Sequence, residues 1–459
     1  MAADRVSRRT VLRAGALAAA GPLVAACGAA DNLLAASSVR VAVTWGDAEL
    51  AAFQSVLDGF RRRYPYQVDV IPLGDAIADA VSAQVNGRPD VVMLPRPGLI
   101  TEKENLARIA PLPDGVWRDD WLLPAWRDVV WHRDPAGALV PYGLPFKVTN
   151  ESALWYRADL FDALHLSPPT TWSDWLTLND TLIRQGIAPL AIGGGDGWPL
   201  TTFFANVLRS CYPDTYRQLA QPQPPIDLWG GKEVNQALRL MGGMLSVDGV
   251  LSGGVARTLA SQFPDSVVEV FGYHNAAMVV SADFAAPVID EFLQPPARVG
   301  VVTFPVVDGI SGDRAGSADQ DLVAGTAPFA NSRPLVIGAD IAVLLHPVSA
   351  GAAALVGWLA GPDAPLPWIT GHGGFIAANQ QTPSTFYQPD VLPLTEQVSG
   401  SEFVFALSDV LGSLGGSGAL FQVLEEFLRT VGDGGTDRVD DAAAVAAGRM
   451  RDIEAAHGR

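Results

Sequence analysis

The sequence predicts an α/β fold built from two successive series of strands and helices. Residues 89–94, "PDVVML", form an apolar run without a polar face, as expected for a parallel strand buried on both sides. Strand-like and helix-like segments alternate from residue 39, and the same alternation starts again near residue 150. The chain has 459 residues, which exceeds the size that one hydrophobic core usually serves. We therefore expect two domains of the same class.

The first series reads strand, helix, strand, helix, strand. The alternating β-branched run 39–43 predicts the first strand. Asp47 is a suitable N-cap for the helix that follows, and Pro65 ends that helix. The segments lie at residues 39–43, 48–64, 67–71, 75–86 and 89–94. Ligands of such sheets bind beyond the carboxyl ends of the strands, which here are residues 45–47 and 95–97.

The second series and the later segments follow the same pattern. Thr171 or Ser173 is expected to cap the helix that ends at Gly186. The predicted strands are 153–156, 188–192, 275–281, 299–307 and 337–345, and the predicted helices are 158–164, 172–186, 234–245, 350–359 and 437–457. Residues 402–431 are expected to be helical with a break at 412–418. Four tryptophans are spaced as a packing face: Trp117, Trp121, Trp126 and Trp131.

Charge and composition exclude several functions. The net charge is −18 and only three residues are lysine, so the chain lacks the basic surface that nucleic acid binding needs. Two cysteines and six scattered histidines give no metal-ligand spacing, and we expect neither a metal nor a cofactor. The GxSxG, HExxH and Walker patterns of common enzyme classes are absent from the sequence. Paired carboxylates of a glycosidase are not excluded by composition.

The first 26 residues are typical of an export signal. Arg8 and Arg9 precede a short apolar run of small residues, which fits the twin-arginine class, although general export stays open. The run ends in "VAAC", which resembles a bacterial lipobox, so Cys27 is the expected lipidated N-terminus after cleavage. The alternative is an ordinary signal peptide that contains a cysteine. Residues 27–38 would form a tether, Cys211 would be a buried small hydrophobe, and the protein would be anchored on the outer face of the cytoplasmic membrane without spanning it.

The order of several short motifs resembles the extracellular solute-binding proteins of bacterial ABC importers, in particular the sugar-binding group. The matching pieces are "PDV" at residues 89–91, "GLP" at 143–145, "LWYRADLF" at 154–161, "PTTW" at 169–172 and "AAM" at 276–278. The resemblance implies a periplasmic-binding-protein-like fold, in which two α/β lobes joined by crossing strands close on a solute. The lobes would hold residues 39–146 with 303–375 and residues 147–302 with 376–440, followed by a tail at 441–459. It also implies a monomer that captures a sugar and delivers it to the permease subunits of an importer.

The loop "GGGDGWP" at residues 193–199 raises the question of why a flexible segment carries a tryptophan at its tip. A sugar presents an apolar face that an indole covers, and hydroxyls that carboxylates accept from. The resemblance makes Trp198 a stacking platform and Asp196 a hydroxyl acceptor. The alternative is that Trp198 packs against its own helix and Asp196 shapes the turn.

The resemblance places further solute contacts at other loop positions. They are Trp45, Asp47, Arg96, Tyr156, Asp283, Phe284, Gly373, Gly374 and Phe375. Each also has a structural alternative, such as an N-cap for Asp47 or a plain turn for the two glycines. The expected solute is a neutral mono-, di- or oligosaccharide, while a polyol or a glycerophosphodiester stays open because Arg96 can meet a phosphate. Rival functions are a surface sensor or protein-interaction role and, less favoured, a glycosidase-like enzyme.

Overall fold

A computed structural model describes residues 38–82, 88–221, 224–308, 335–416 and 418–457. The predicted signal peptide, Cys27 and nearly all of the tether lie outside these residues. The strands, β1 to β14 in order, are Ser38–Val43, Gln67–Pro72, Val91–Leu94, Ile109–Ala110, Trp131–Arg133, Leu139–Pro141, Leu144–Asn150, Ala153–Arg157, Ala188–Ala191, Ala276–Val280, Val299–Thr303, Val336–Leu345, Ile376–Ala377 and Val404–Phe405. The helices, α1 to α18 in order, are Asp47–Arg63, Ile77–Ser82, Lys103–Leu106, Arg127–Val130, Ala158–Ala163, Trp172–Arg184, Trp198–Cys211, Pro213–Leu219, Lys232–Leu245, Gly254–Ala260, Phe263–Phe271, Ala286–Phe292, Ala350–Leu359, Leu366–Gly371, Leu392–Gly400, Leu407–Val410, Leu420–Gly434 and Val439–His457.

The first sheet has eight strands. Its main order is β13-β7-β12-β3-β1-β2, and β4 and β14 also pair with β12. Strand β1 is parallel to both β2 and β3, which confirms the predicted series of parallel strands. Strand β12 is antiparallel to β3 and β7 and is buried along its whole length. The carboxyl ends of β1 and β3 therefore open at the same edge of the sheet.

The second sheet has four strands in the order β11-β8-β10-β9. Strands β9 and β10 are parallel, and β8 runs antiparallel to β10 and β11. Successive residues of β8 enter different cores, since Trp155 joins the core shared with the first sheet and Leu154 joins the second core, to which α7, α9 and α17 also contribute. The two sheets together confirm the two-lobed α/β architecture.

The chain crosses from the first sheet to the second between β7 and β8, through Glu151 and Ser152. This crossing is a buried polar seam. The Glu151 amide donates to the Val336 carbonyl at 2.9 Å, and the Ser152 hydroxyl donates to Asn206 Oδ1 at 2.5 Å while accepting from the Val336 amide at 2.8 Å. Because buried polar groups are costly unless paired, this network fixes where the chain passes between the sheets.

The predicted lobe bounds differ from the strand pairing at two points. Strand β7 stays in the first sheet as far as Asn150, beyond the predicted switch at residue 147. Strand β13, at residues 376–377, pairs with β7 in the first sheet rather than with the second, and Tyr387 and Leu394 join the same core. The described part of the predicted tail is helix α18, whose alanines pack on the second core. The remaining assignment of segments to lobes stays a prediction.

Two local expectations had different outcomes. Thr171 caps α6 in a reciprocal capping box with Asp174, as predicted. Asp47 is not the N-cap of α1, because Gly46 holds that position and Asp47 is the first helical residue, with φ of 39°.

The predicted tryptophan packing face is confirmed, since Trp126 is fully buried and the other three pack partly against the first core. Cys211 is half-buried on the second core, and burial raises the pKa of its thiol to about 12.

Candidate functional site

A cavity of about 290 Å³ lies between the two sheets. On the first-sheet side it is lined by residues that follow β1 and β3 or lie on β7 and β12. On the second-sheet side it is lined by residues from the starts of α7 and α11, from the turn after β10, and from α16 and α17. The lining is Thr44, Trp45, Glu49, Ile77, Pro95, Arg96, Lys147, Thr149, Glu151, Trp198, Phe263, Phe284, Ala339, Asp340, Ser408, Asp409 and Phe421. The cavity thus opens where the parallel strands of both sheets end.

Three aromatic rings on the second-sheet side form what we call the aromatic wall: Trp198, Phe263 and Phe284. Their ring centroids lie 5.4 Å apart for Trp198 and Phe284, 5.6 Å for Trp198 and Phe263, and 5.0 Å for Phe263 and Phe284. All three remain partly exposed, and all three line the cavity. They present a continuous apolar surface to whatever enters.

The glycines of the loop before Trp198 explain how the wall is assembled. A Cβ on Gly193 would lie 2.5 Å from the Gln262 backbone, and one on Gly197 would lie 2.5 Å from Phe421 Cβ. Gly197 also has a backbone φ of 74°, a value that residues with a side chain rarely adopt. The loop can therefore press against the starts of α11 and α17 and turn the indole of Trp198 toward the cavity.

The first-sheet side carries what we call the charged floor: Glu49, Lys147 and Asp340. Lys147 is only 2% exposed and donates to Glu49 Oε1 at 2.5 Å, while Asp340 faces it across the β7–β12 register. Burial lowers the pKa of Lys147, but the carboxylates of Glu49 and Asp340 outweigh it and hold the pKa above its ordinary value. Burial raises the pKa of Asp340 to about 6, with Lys147 acting against it. Lys147 Nζ also lies 5.2 Å from the ring centroid of Phe284, where floor and wall meet.

Two further buried carboxylates, Glu151 and Asp409, form what we call the carboxyl pair. A Cβ on Gly338 would lie 2.5 Å from Glu151 Oε1 and 3.0 Å from Asp409 Oδ2, so the two oxygens flank the same small gap. Thr202 Oγ1 donates to Glu151 Oε2 at 2.8 Å, and the Ala339 amide donates to Asp409 Oδ2 at 3.0 Å. Burial raises the pKa of Glu151 to about 7, and burial together with Glu151 raises the pKa of Asp409 well above its ordinary value.

Four of the predicted contacts line this cavity: Trp45, Arg96, Trp198 and Phe284. Trp45 contributes less than a free platform, because it is 2% exposed and its ring is packed 4.9 Å from Phe53 and 5.0 Å from Trp368 between centroids. Its Nε1 donates to Asp340 Oδ2 at 3.3 Å, so it supports the charged floor. Arg96 reaches the cavity beside Gly416, where a Cβ would collide with its guanidinium.

Three predicted contacts lie outside the cavity lining, and the structure gives each another role. Asp47 is exposed at the start of α1. Asp196 Oδ2 accepts from the Phe263 amide at 2.6 Å, so it holds the turn to α11, as the structural alternative proposed. Tyr156 packs 4.8 Å from Phe161 between ring centroids and over Gly300 of the second sheet. The structure thus gives these three residues structural contacts, and their role as solute contacts stays a prediction.

The other four predicted contacts are also absent from the cavity lining. Asp283 is fully buried, and its Oδ1 accepts a hydrogen bond from the backbone amide of Asn150 at 2.6 Å. Burial, partly offset by Lys147, raises the pKa of Asp283 to about 7. Gly373 and Gly374 have φ of 71° and 58°, and a Cβ on Gly374 would lie 3.0 Å from the Phe284 Cα. Phe375 is buried against Phe146 and Trp368. Gly374 thus borders the wall at Phe284, whereas Phe375 belongs to the first core, and the role of these four residues as solute contacts stays a prediction.

Several lining residues were not predicted from the sequence. Two of them stand out in the sequence and could have been proposed as site residues. Asp340 is the only charged residue in the ten-residue apolar strand β12, and Lys147 is one of three lysines in the chain. Asp409, Phe421 and Phe263 carry none, because only the tertiary fold brings their helices to the cavity. Among the described residues there is no cluster of three metal-binding side chains, and none of their helices combines the length and apolarity needed to cross a membrane.

The fold and the cleft define a binding protein of two α/β domains, and comparison with known proteins agrees. The family model described as bacterial extracellular solute-binding protein matches residues 46–364, and the chain belongs to this family. It is 26% identical over 238 residues to the alpha-glucosides-binding periplasmic protein AglE of Rhizobium meliloti, covering 47% of this chain and 51% of the relative. It is 26% identical over 239 residues to the osmoprotective compounds-binding protein GgtB of a Synechocystis strain, covering 48% and 56%. The matched segment thus spans about half the length of these curated relatives.

Solved structures extend the likeness of fold over nearly the whole chain. The bacterial solute receptor AcbH, described with a preference for β-D-galactopyranose, superimposes with a TM-score of 0.73 at 13% identity, covering 92% of this chain and 99% of its own. A solute-binding protein of Thermotoga lettingae with bound α-D-tagatose superimposes with a TM-score of 0.67 at 16% identity, covering 91% of this chain and 100% of its own. RafE in complex with raffinose superimposes with a TM-score of 0.66 at 14% identity, covering 91% of this chain and 99% of its own. At these identities the likeness concerns the fold alone.

Proposed function

We propose that this protein captures a sugar or a related polyhydroxylated solute in the cavity between its two sheets and delivers it to the permease of an ABC importer. The observation that carries the proposal is the two-sided lining. An aromatic wall on one sheet faces a charged floor on the other. The first can cover the C–H face of a sugar ring, and the second can bind its hydroxyls.

The balance of charge in the cavity supports a neutral solute over an anionic one. Four carboxylates line it, from Glu49, Glu151, Asp340 and Asp409, against two cationic side chains. Lys147 is already paired with Glu49. A phosphodiester would further oppose the ionisation of these acidic groups, so we rank it below sugars and polyols. The volume of about 290 Å³ lies just below the roughly 300–1,000 Å³ typical of ligand sites, which favours a small saccharide.

A thermal-shift screen over sugars, polyols and phosphodiesters tests the proposal, because a solute that binds only the folded state raises the melting temperature. The best solute should then lose about 30-fold or more in affinity in Trp198→Ala by titration calorimetry, as expected for about 2 kcal/mol at a central aromatic contact. Trp117→Ala, a partly buried tryptophan away from the cavity, is the matched control. An unchanged affinity in Trp198→Ala would remove the aromatic wall from the site.

Membrane attachment through Cys27 is part of the proposal. The family is extracellular, and the lipobox-like "VAAC" at residues 24–27 supports lipidation. The expected result is that the native protein fractionates with membranes and Cys27→Ser appears in the soluble exported fraction. Retention of Cys27→Ser on membranes would contradict the anchor. We expect the protein to act as a monomer.

The protein is expected to release its solute unchanged. The relatives reported above are binding proteins, which supports binding without turnover. Incubation of the best solute with the protein, followed by chromatography, should return the solute intact. Appearance of a hydrolysis product would instead favour the glycosidase alternative, with the carboxyl pair as the first residues to substitute.

A further inference from the structure

We infer that the preferred solute carries a positively charged group, such as the amine of an amino sugar, which binds against the carboxyl pair Glu151 and Asp409. This inference rests on the proposed function, because it concerns the same cavity. It adds a charge requirement that the stacking surface alone does not impose.

The carboxyl pair is deeply buried and lacks a cation. Glu151 is 8% exposed and Asp409 is 7% exposed. Among the described residues, no lysine or arginine forms an ion pair with either carboxylate. Their hydrogen bonds come from neutral donors only, namely Thr202, Ser408 and the Ala339 amide. Two adjacent acids in a buried place cannot readily ionise together: burial raises the pKa of Glu151, and burial together with Glu151 raises the pKa of Asp409, whereas a bound cation would let both ionise.

The pair faces the cavity rather than the protein interior alone. Both residues belong to the cavity lining, and Glu151 Oε1 accepts no hydrogen bond from a described residue. Of the two cationic side chains of the lining, Lys147 binds Glu49 on the charged floor, and Arg96, which lies against Gly416, contributes to the pKa of neither acid of the pair. A solute amine placed beside Glu151 Oε1 would therefore supply the missing charge.

The aromatic wall favours the same kind of solute. The faces of Trp198, Phe263 and Phe284 carry negative potential, and aromatic faces attract cations within about 6 Å. Lys147 shows this locally, with Nζ 5.2 Å from the Phe284 ring centroid. A neutral hydroxyl donates a hydrogen bond to either carboxylate but leaves in place the repulsion that opposes ionisation of both acids. An ammonium group gains the hydrogen bond and removes the repulsion.

Matched pairs of sugars test the inference with the folded, full-length mature protein. Titration calorimetry would compare D-glucosamine with D-glucose, D-galactosamine with D-galactose, and a glucosamine disaccharide with cellobiose. The expected result is at least tenfold tighter binding of the amino sugar in at least one pair. Raising the salt concentration should weaken that preference less than it weakens surface ion pairs, because the site is buried.

Two substitutions, Glu151→Gln and Asp409→Asn, test the carboxyl pair directly. Each should reduce the preference for the amino sugar over the neutral sugar to less than about threefold. The affinity for the neutral sugar should change less than the affinity for the amino sugar. Glu396→Gln, an exposed acid on α15, controls for net charge. If either substitution prevents folding, the other one and the wild-type comparison still decide.

Two results overturn the inference and are distinguishable from each other. The inference fails if neutral sugars bind as tightly as their amino counterparts in every pair. It also fails if the affinity for neutral sugars falls from pH 5 to pH 8, because the carboxyl pair would then donate a held proton to the solute. In both cases the proposed function stands. If no sugar of either kind binds, the inference and the proposed function both fail.

Discussion

The two sides of the cavity are built in opposite ways. The second-sheet side is the aromatic wall, whose rings stand on glycine-shaped turns and remain partly exposed. The first-sheet side is the charged floor, whose central lysine is 2% exposed and locked between strands. An exposed aromatic ring costs the fold little and is available to a solute, whereas a buried charge is costly unless its partners are fixed. The wall should therefore control affinity, and the floor should control both stability and affinity.

The largest effect is expected from Lys147→Met, which leaves Glu49, Asp340 and Asp283 without their common cation. Glu49 is 39% exposed, but Asp340 and Asp283 are buried, so loss of their cation should lower the free energy of unfolding in urea denaturation by about 3 kcal/mol, the lower end of the cost of breaking a buried ion pair. Lys232→Met, at an exposed position at the start of α9, is the matched control and should have little effect. A loss below about 1 kcal/mol would show that the charged floor does not stabilise the fold.

Gly338→Ala tests the gap between the two carboxylates of the pair. A Cβ there would lie 2.5 Å from both Glu151 Oε1 and Thr149 Oγ1, so those side chains must move. Overpacking of this kind costs about 1–3 kcal/mol, and we expect a matching loss of stability together with weaker solute binding. Gly357→Ala is the control, because a Cβ there meets nothing within 4 Å in helix α13, and it should be neutral or stabilising. Unaltered affinity in Gly338→Ala would separate the carboxyl pair from the site.

The pH dependence of stability tests the buried acid Asp283. Burial raises the pKa of Asp283 to about 7 in the folded protein, against about 3.9 in the unfolded chain. Since the folded state then holds the proton more tightly, this group stabilises the fold at low pH, and its contribution is lost as pH rises from about 4 to 7. Asp283→Asn should flatten this part of the profile of unfolding free energy, on the order of 1 kcal/mol per pH unit. An identical slope in the variant would place the titration elsewhere.

The smallest effect is expected from Tyr156→Phe. The tyrosine lies outside the cavity, against Phe161 and Gly300, and the substitution keeps its ring. Affinity measured by calorimetry should change less than twofold. A tenfold loss would restore Tyr156 as a solute contact and extend the cavity beyond its present lining.

The sequence predicted the regular elements well because their signals are local. Helix α13 was expected at 350–359 and is observed at those residues, and β1 was expected at 39–43 and is observed as Ser38–Val43. The strand order could not be predicted in the same way, since residues 144–150 were not among the predicted strands and form β7, which pairs with both β12 and β13 in the first sheet. Pairing partners far along the chain decide that outcome, and no local pattern records them.

The site was predicted on its aromatic side and missed on its charged side. Trp198 and Phe284 follow predicted strands, so their position at the sheet edge could be inferred. The charged floor and the carboxyl pair depend on contacts over long separations, such as Glu49 with Lys147 and Gly338 with Asp409. Gly373 and Gly374 lie outside the cavity lining, so their role as solute contacts stays a prediction.

A crystal structure of the protein with its best-bound solute tests the central claim most directly. The account predicts solute density between the aromatic wall and the charged floor, with a ring face against Trp198 or Phe284 and polar groups within hydrogen-bonding distance of Asp340, Glu151 or Asp409. Solute bound elsewhere, for example in the separate cavity near residues 245–260 and Arg429, would contradict it.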